Sequence, residues 1–247
     1  MIRGILFDIN GTLSEIWTDE TDKDVYRTVS AFLSYRGVLV DPEVLHGLYF
    51  KLCKQQLDDS KELYPEFDVC RLFEKVIQQY AVGDAAKMKK DELKDLSKTT
   101  AQVFRSASRR ELKLYPNVRK TLDVLKKRYR LAAVSDGQTV WGYPELNAVG
   151  LTEYFSPVIV SGDYGYRKPD PRLFKKALSK TGLDPDEAVF VGNDMYRDVY
   201  GAQTVGIKVV FYHSNQGDQT HEGTTPDAVI TDFADLPAVI KKLEKTK

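Results

Sequence analysis

Four short segments of this chain carry side chains that could do chemistry together. They are Asp8-Ile9-Asn10-Gly11-Thr12, Val134-Ser135-Asp136-Gly137, Tyr166-Arg167-Lys168-Pro169-Asp170 and Val191-Gly192-Asn193-Asp194-Met195-Tyr196-Arg197-Asp198. Asp8 closes the apolar run Ile5-Leu6-Phe7, and a carboxylate so placed can be a nucleophile, a metal ligand or both. Asn-Gly is also a strong hairpin signal, so this segment alone does not separate a site from a turn. Ser135 offers a hydroxyl which, with the amides of the following turn, can bind a phosphate oxygen. Lys168 precedes a proline-initiated helix, where a fixed ammonium can neutralise an anionic intermediate. Asn193, Asp194 and Asp198 are oxygen ligands suited to a hard cation such as Mg²⁺. Each segment also has a plainer reading as a surface turn or a cap. Their joint occurrence, in this order, is what points to a site.

The elements that must position these residues are short and apolar. Strands are expected at residues 5–7, 131–135, 158–160, 188–192, 208–212 and 228–230, nearly continuous in Val, Ile and Leu as strands covered on both faces are. Helical patterns at 116–127, 171–181, 198–204 and 236–245 alternate with them, so the expected fold is α/β: a Rossmann-like parallel sheet with helices on both faces. The four segments then fall at the carboxyl ends of strands, where such sheets bind ligands. Residues 19–110 show long amphipathic spacing and no convincing strand, as in Val25, Val29, Phe32 and Leu33. This predicts a four-helix insertion at 15–111 within a core of 1–14 and 112–247, hinged near 14–18 and 109–114.

At this point the chain resembles the haloacid dehalogenase-like hydrolase superfamily. The four segments look like its motifs I to IV, and the insertion resembles a helical C1-type cap. Further agreement lies in Leu114-Tyr115-Pro116-Asn117-Val118 and Lys168-Pro169-Asp170-Pro171. The resemblance implies a Mg²⁺-dependent hydrolase, a phosphatase of a small phosphorylated metabolite, working through an aspartyl-phosphate on Asp8. Asp8, Asn10 and Lys168 take the catalytic positions. Thr12, Ser135, Asp136 and Lys168 take the substrate-binding ones, and Arg36 is expected as a second anion contact. Asp8, Asn10 (through its backbone carbonyl), Asn193, Asp194 and Asp198 take the metal positions.

Two residues depart from the family pattern. Asn10 stands where phosphatases usually carry Asp, and an amide cannot act as a general acid or base at neutral pH, a role worth about 10²–10⁴ in rate. Asn193 stands where motif IV usually has Asp, and Asp194 beside it is expected to supply the missing charge. Proton transfer matters least for good leaving groups, so acyl phosphates, aryl phosphates and phosphoanhydrides are favoured over simple sugar phosphates. A dehalogenase and a weakly active, phospho-ligand-binding relative are the alternatives.

Composition limits the rest. The 247 residues carry 36 basic and 36 acidic side chains, so no net charge draws the chain to nucleic acid or membrane. The two cysteines, Cys53 and Cys70, make no metal knuckle and fit reduced thiols in a cytoplasmic protein. The three histidines sit in no motif with a nucleophile, which argues against a Ser-His-Asp hydrolase. A monomer or homodimer is expected. Substrate contacts beyond the phosphate are sought at Glu15, Trp17, Tyr35, Arg36 and Tyr49 on the insertion, and at Gln138 and Trp141 on the core.

Overall fold

The central apolar run forms β1(Gly4–Phe7), fully buried, and its side chains alternate between two cores. Ile5 and Phe7 enter one, and Leu6 enters the other. In this computed structural model, which describes residues 1–245, β1 lies inside a six-stranded sheet. The other strands are β4(Arg130–Ser135), β5(Val158–Val160), β6(Ala188–Gly192), β7(Lys208–Tyr212) and β8(Ala228–Ile230). The order is β5-β4-β1-β6-β7-β8 and every pairing is parallel. Residues 246 and 247, the end of the expected core segment, lie outside the described residues.

Helices cover both faces, as parallel strands require. On one side α5(Val118–Leu125) and α9(Leu236–Leu243) deliver Val118, Leu122, Leu236 and Ile240 to the core. On the other α7(Pro171–Thr181) delivers Leu173, Phe174 and Ala177. It is joined there by a π-helical turn, Met195–Tyr200, that runs into α8(Gly201–Gln203). An ordinary helix was expected at 198–204; the π turn replaces its start.

Residues 23–108 fold into α1(Lys23–Tyr35), α2(Pro42–Asp58), α3(Val69–Tyr80) and α4(Lys90–Ser108), around a separate apolar cluster. Asp22, Asp41 and Asp68 cap the first three helices by accepting backbone N–H bonds, which satisfies donors a helix start otherwise leaves open. The two expected hinges are not free links. They are β2(Ser14–Thr18) and β3(Arg109–Leu114), paired antiparallel with Ser14 opposite Leu114. The partner of each is remote in sequence, so local periodicity could not reveal the ladder.

One further helix, α6(Thr139–Ala148), carries Gly142 and Pro144 and gave no sequence signal. Its Trp141 packs into the four-helix cluster and donates its indole N–H to the Ala101 carbonyl at 2.8 Å. Gln138 adds two more bonds between the units, to the Phe67 carbonyl at 2.6 Å and from the Val69 amide at 3.1 Å. Residues 64–66 lie against 165–167 through Arg167 N–H to Tyr64 O (2.9 Å) and Glu66 N–H to Gly165 O (3.0 Å). No helix among the described residues is long and apolar enough to cross a membrane.

Candidate active site

Asp8 follows β1 directly, and its amide bonds to the Val191 carbonyl of β6 at 2.9 Å. The pairing of Phe7 with Ala133 sets Asp8 and Ser135 at the ends of adjacent strands. The turn after Asp8 needs glycine at position 11. Its φ is +86°, and an added Cβ would stand 2.5 Å from Asn193 Nδ2.

Lys168 holds the centre. Its ammonium is almost wholly buried and donates to Asp8 Oδ1 at 2.7 Å and to Asp198 Oδ1 at 2.6 Å. Burial alone would lower its pKa, but the two carboxylates raise it instead, so it stays charged. Burial and the Asp8 charge push the Asp198 carboxyl up, against the pull of Lys168. Asp198 Oδ2 accepts the amides of Asn193 (3.0 Å) and Asp194 (3.1 Å), so this side chain braces the strand end. The π turn, with the Asp198 and Val199 amides both on the Asp194 carbonyl, turns the carboxylate back to do so.

Thr12 links Asp8 to Asn193. Its hydroxyl lies 2.9 Å from Asp8 Oδ2 and 2.9 Å from Asn193 Oδ1. One hydroxyl hydrogen cannot serve both oxygens fully, so acceptor capacity is left over between them. Asn193 cannot flip, because its Nδ2 donates to the Gln216 carbonyl at 2.8 Å. The donor set is hard oxygen throughout, which fits a cation of the Mg²⁺ type. Among the described residues no cluster of three or more His, Cys, Asp or Glu side chains could hold a metal, so amide and carbonyl oxygens would have to complete the set.

Other expected site residues fall differently. The Asp194 carboxylate is committed elsewhere: Oδ1 caps the π turn through the Tyr196 and Arg197 amides, and Oδ2 binds the Arg197 guanidinium and the Asp218 amide. Its oxygens are thus taken up by these donors, while its charge still acts on Asp198 nearby. Asp136 Oδ1 accepts the Lys168 amide at 2.9 Å, so its side chain positions the lysine loop; its Oδ2 has no hydrogen-bond partner. The Asn10 side-chain oxygen accepts from Ser14 Oγ at 3.3 Å. Ser135 is buried, and its hydroxyl makes only a long bond, 3.3 Å, to the Asp136 carbonyl. Arg36 is the clear displacement. It is the exposed C-cap of α1 and does not line the cavity at the strand ends. Tyr35 and Trp17 are exposed too, Glu15 pairs with Lys113, and Tyr49 packs inside the four-helix cluster.

That cavity, of about 110 Å³, is bounded by Asn10, Ser135, Asp136, Gln138 and Trp141, and also by Arg105 and Glu145. Sequence reading missed both of the last two. Arg105 looks like a solvated residue near the end of a charged helix, and Glu145 lies in the helix that Gly142 and Pro144 concealed. Glu66 was missed as well. Its carboxylate, on the segment before α3, accepts from Ser161 Oγ at 2.7 Å, and Ser161 Oγ in turn accepts the Gly137 amide at 2.8 Å.

A parallel α/β sheet whose central strand presents a buried carboxylate to a lysine, a hydroxyl turn and an oxygen-rich loop defines a class of enzyme-like architecture built around Asp8. The chain belongs to the haloacid dehalogenase-like hydrolases, whose family model matches residues 37–212. That match starts after Asp8, so the placement of Asp8 rests on the geometry above. A glyceraldehyde 3-phosphate phosphatase of Methanocaldococcus jannaschii is 26% identical over 99% of this chain and 100% of its own length. Human N-acylneuraminate-9-phosphatase is 24% identical, over 98% of this chain and 95% of its own length. A glyceraldehyde 3-phosphate phosphatase of Pyrococcus furiosus is 34% identical, but the alignment spans only 56% of that protein and 54% of this chain. Among solved structures, a 2-haloacid dehalogenase from Pseudomonas syringae aligns with TM-score 0.65 and 24% identity over 98% of this chain and 99% of its own. That likeness shows the fold.

Proposed function

We propose that this chain is a Mg²⁺-dependent phosphatase of a small phosphorylated metabolite, with Asp8 as nucleophile and residues 15–111 as a cap over the site. The single observation that carries this reading is the placement of Asp8: buried, with Oδ1 on the Lys168 ammonium and Oδ2 on the Thr12 hydroxyl. The names of the full-length relatives, both phosphatases, support it.

In this reading one oxygen of Asp8 attacks phosphorus, the bond to the leaving-group oxygen breaks, and an aspartyl-phosphate forms. Water then attacks that phosphorus, the bond to Asp8 breaks, and inorganic phosphate leaves. Ser135 and the amides of its turn hold phosphoryl oxygens, while Lys168 balances the charge that spreads over them. Thr12 fixes the rotamer of Asp8. Asp136 and Asp198 position the lysine from its amide and its ammonium. Asp8, Asn193 and the backbone carbonyl of Asn10 would hold the Mg²⁺, which when bound neutralises phosphoryl oxygens as a Lewis acid. Asn10 transfers no proton, so the leaving group departs with less assistance than an aspartate would give. Turnover is therefore expected to fall from acyl and aryl phosphates to alkyl phosphates.

The test is phosphate release from a panel of phosphorylated metabolites and p-nitrophenyl phosphate, with and without Mg²⁺, by the wild-type chain and by Asp8→Ala. Release that needs both Mg²⁺ and Asp8 supports the reading. Equal release by both proteins overturns it.

A further inference from the structure

The cavity in front of Asn10 and Ser135 contains one guanidinium, and that guanidinium is already spent. Arg105 Nε donates to Glu145 Oε1 at 2.6 Å, and its Nη1 stands 3.7 Å from Glu20 Oε1. The Arg105 and Glu145 side chains are 14% and 4% exposed, so this is an interior pair rather than a solvated one. The guanidinium also lies 4.9 Å over the Trp141 ring, which fixes its plane. Glu20 is held in turn by the Tyr49 hydroxyl at 3.0 Å. Two carboxylates face one guanidinium, so the group carries a formal excess of negative charge. The other acidic wall residue, Asp136, has its own cations, with the Arg167 and Arg197 guanidinium groups each 3.9 Å from its Oδ2, so the excess rests on Glu145 and Glu20. The expected cation for a second anionic group, Arg36, is turned to solvent.

From this we infer that Glu145 is a specificity-determining residue: by occupying Arg105 it makes the leaving-group pocket reject a second anion. The pocket then takes phosphate esters of small, uncharged, hydroxylated alcohols and excludes those whose leaving group bears a carboxylate or another phosphate. The cavity is small, about 110 Å³. Selectivity of this kind comes from a like-charge penalty against the wrong ligand as much as from contacts to the right one. The inference rests on the phosphatase reading for its chemistry, but charge selection at the pocket can also be read by binding.

The experiment compares glycerol 1-phosphate with 2-phosphoglycolate, two alkyl phosphates of similar size that differ in the leaving-group carboxylate. Both feel the missing acid at position 10 alike. Phosphate release gives kcat and KM for wild type, Glu145→Gln and Glu20→Gln, and calorimetric titration of both probes gives binding on the same proteins. Wild type is expected to favour glycerol 1-phosphate by roughly tenfold or more in kcat/KM. Glu145→Gln frees the guanidinium and should erase or invert that preference, through a lower KM for 2-phosphoglycolate with kcat little changed. Glu20→Gln, at the more exposed carboxylate, should move the ratio the same way by a smaller factor, and it covers a Glu145→Gln that fails to fold. Wild type that handles both probes equally, or variants that leave the ratio unchanged, would overturn the inference. The phosphatase reading is judged separately, by Asp8-dependent release from p-nitrophenyl phosphate; if neither alkyl probe is turned over, the binding ratio in wild type and variants still decides the charge filter.

Discussion

Replacing Lys168 with Met tests the centre of the site most directly. The ammonium lies 2.7 Å from Asp8 Oδ1 and 2.6 Å from Asp198 Oδ1, and all three side chains are at most 7% exposed. At an effective dielectric constant of about 20, each pair attracts by roughly 6 kcal/mol before desolvation is counted. Desolvation offsets most of that, and removing one partner of a buried ion pair typically costs about 3–5 kcal/mol because the other charge is left uncompensated. In a chain of this size that corresponds to a melting point lower by about 6–20 °C. Phosphate release should fall by about 10²-fold or more, since in the proposed mechanism Lys168 balances the transition-state charge. The double variant Lys168→Met, Asp198→Asn separates the two effects. It removes one orphaned carboxylate, so it should recover much of the melting temperature and none of the activity. Thermal melts by circular dichroism and a phosphate-release assay read both. A single variant melting within about 2 °C of wild type would refute the reasoning, because it would mean the two carboxylates do not depend on the lysine in the folded state.

Asn10→Asp restores a proton donor beside the nucleophile and should raise turnover on alkyl phosphates by about 10²-fold or more, with a smaller gain on aryl phosphates; no gain would show that proton transfer was not limiting. Arg36→Ala should leave kcat and KM within twofold of wild type, as the side chain is exposed and lines no part of the site cavity; a large rise in KM would show that the arginine reaches substrate. Glu66 provides a pH test. Burial raises its carboxyl above the ordinary value, Arg167 and Ser161 pull it down, and Asp136 adds to the rise. The folded state therefore holds this proton more tightly than the unfolded chain does. Stability contributed here is greatest below the unfolded value and declines as pH rises toward the folded one. Glu66→Gln keeps an acceptor for Ser161 without that decline, so the melting temperature of the variant minus that of wild type should grow as pH rises from about 4. A flat difference would show that Glu66 ionises in the fold as it does in the unfolded chain.

The sequence by itself determined the strands of the main sheet and the four segments that follow them. Fully buried parallel strands must be short continuous apolar runs, so residues 5–7, 131–135, 158–160, 188–192, 208–212 and 228–230 announced themselves locally. Three of the segments sit at carboxyl ends, and the fourth, 166–170, lies in the loop between β5 and α7; Asp8, Lys168 and Ser135 stood out by residue type and order, with their roles implied by the family resemblance. The four helices of the insertion were equally legible, because amphipathic spacing is also a local property. What needed the folded molecule was every relation between residues remote in the chain. The β2–β3 ladder joins positions nearly a hundred residues apart. Asp194 and Asp198 are near neighbours on paper, yet the π turn ties one to Arg197 and brings the other under Lys168. Arg36 and Arg105 look equally available in a list of basic residues; helix packing exposes the first and buries the second against Glu145. Side-chain type sets what chemistry a position is capable of, but its partners, and so the charge it still has to offer, are set by packing.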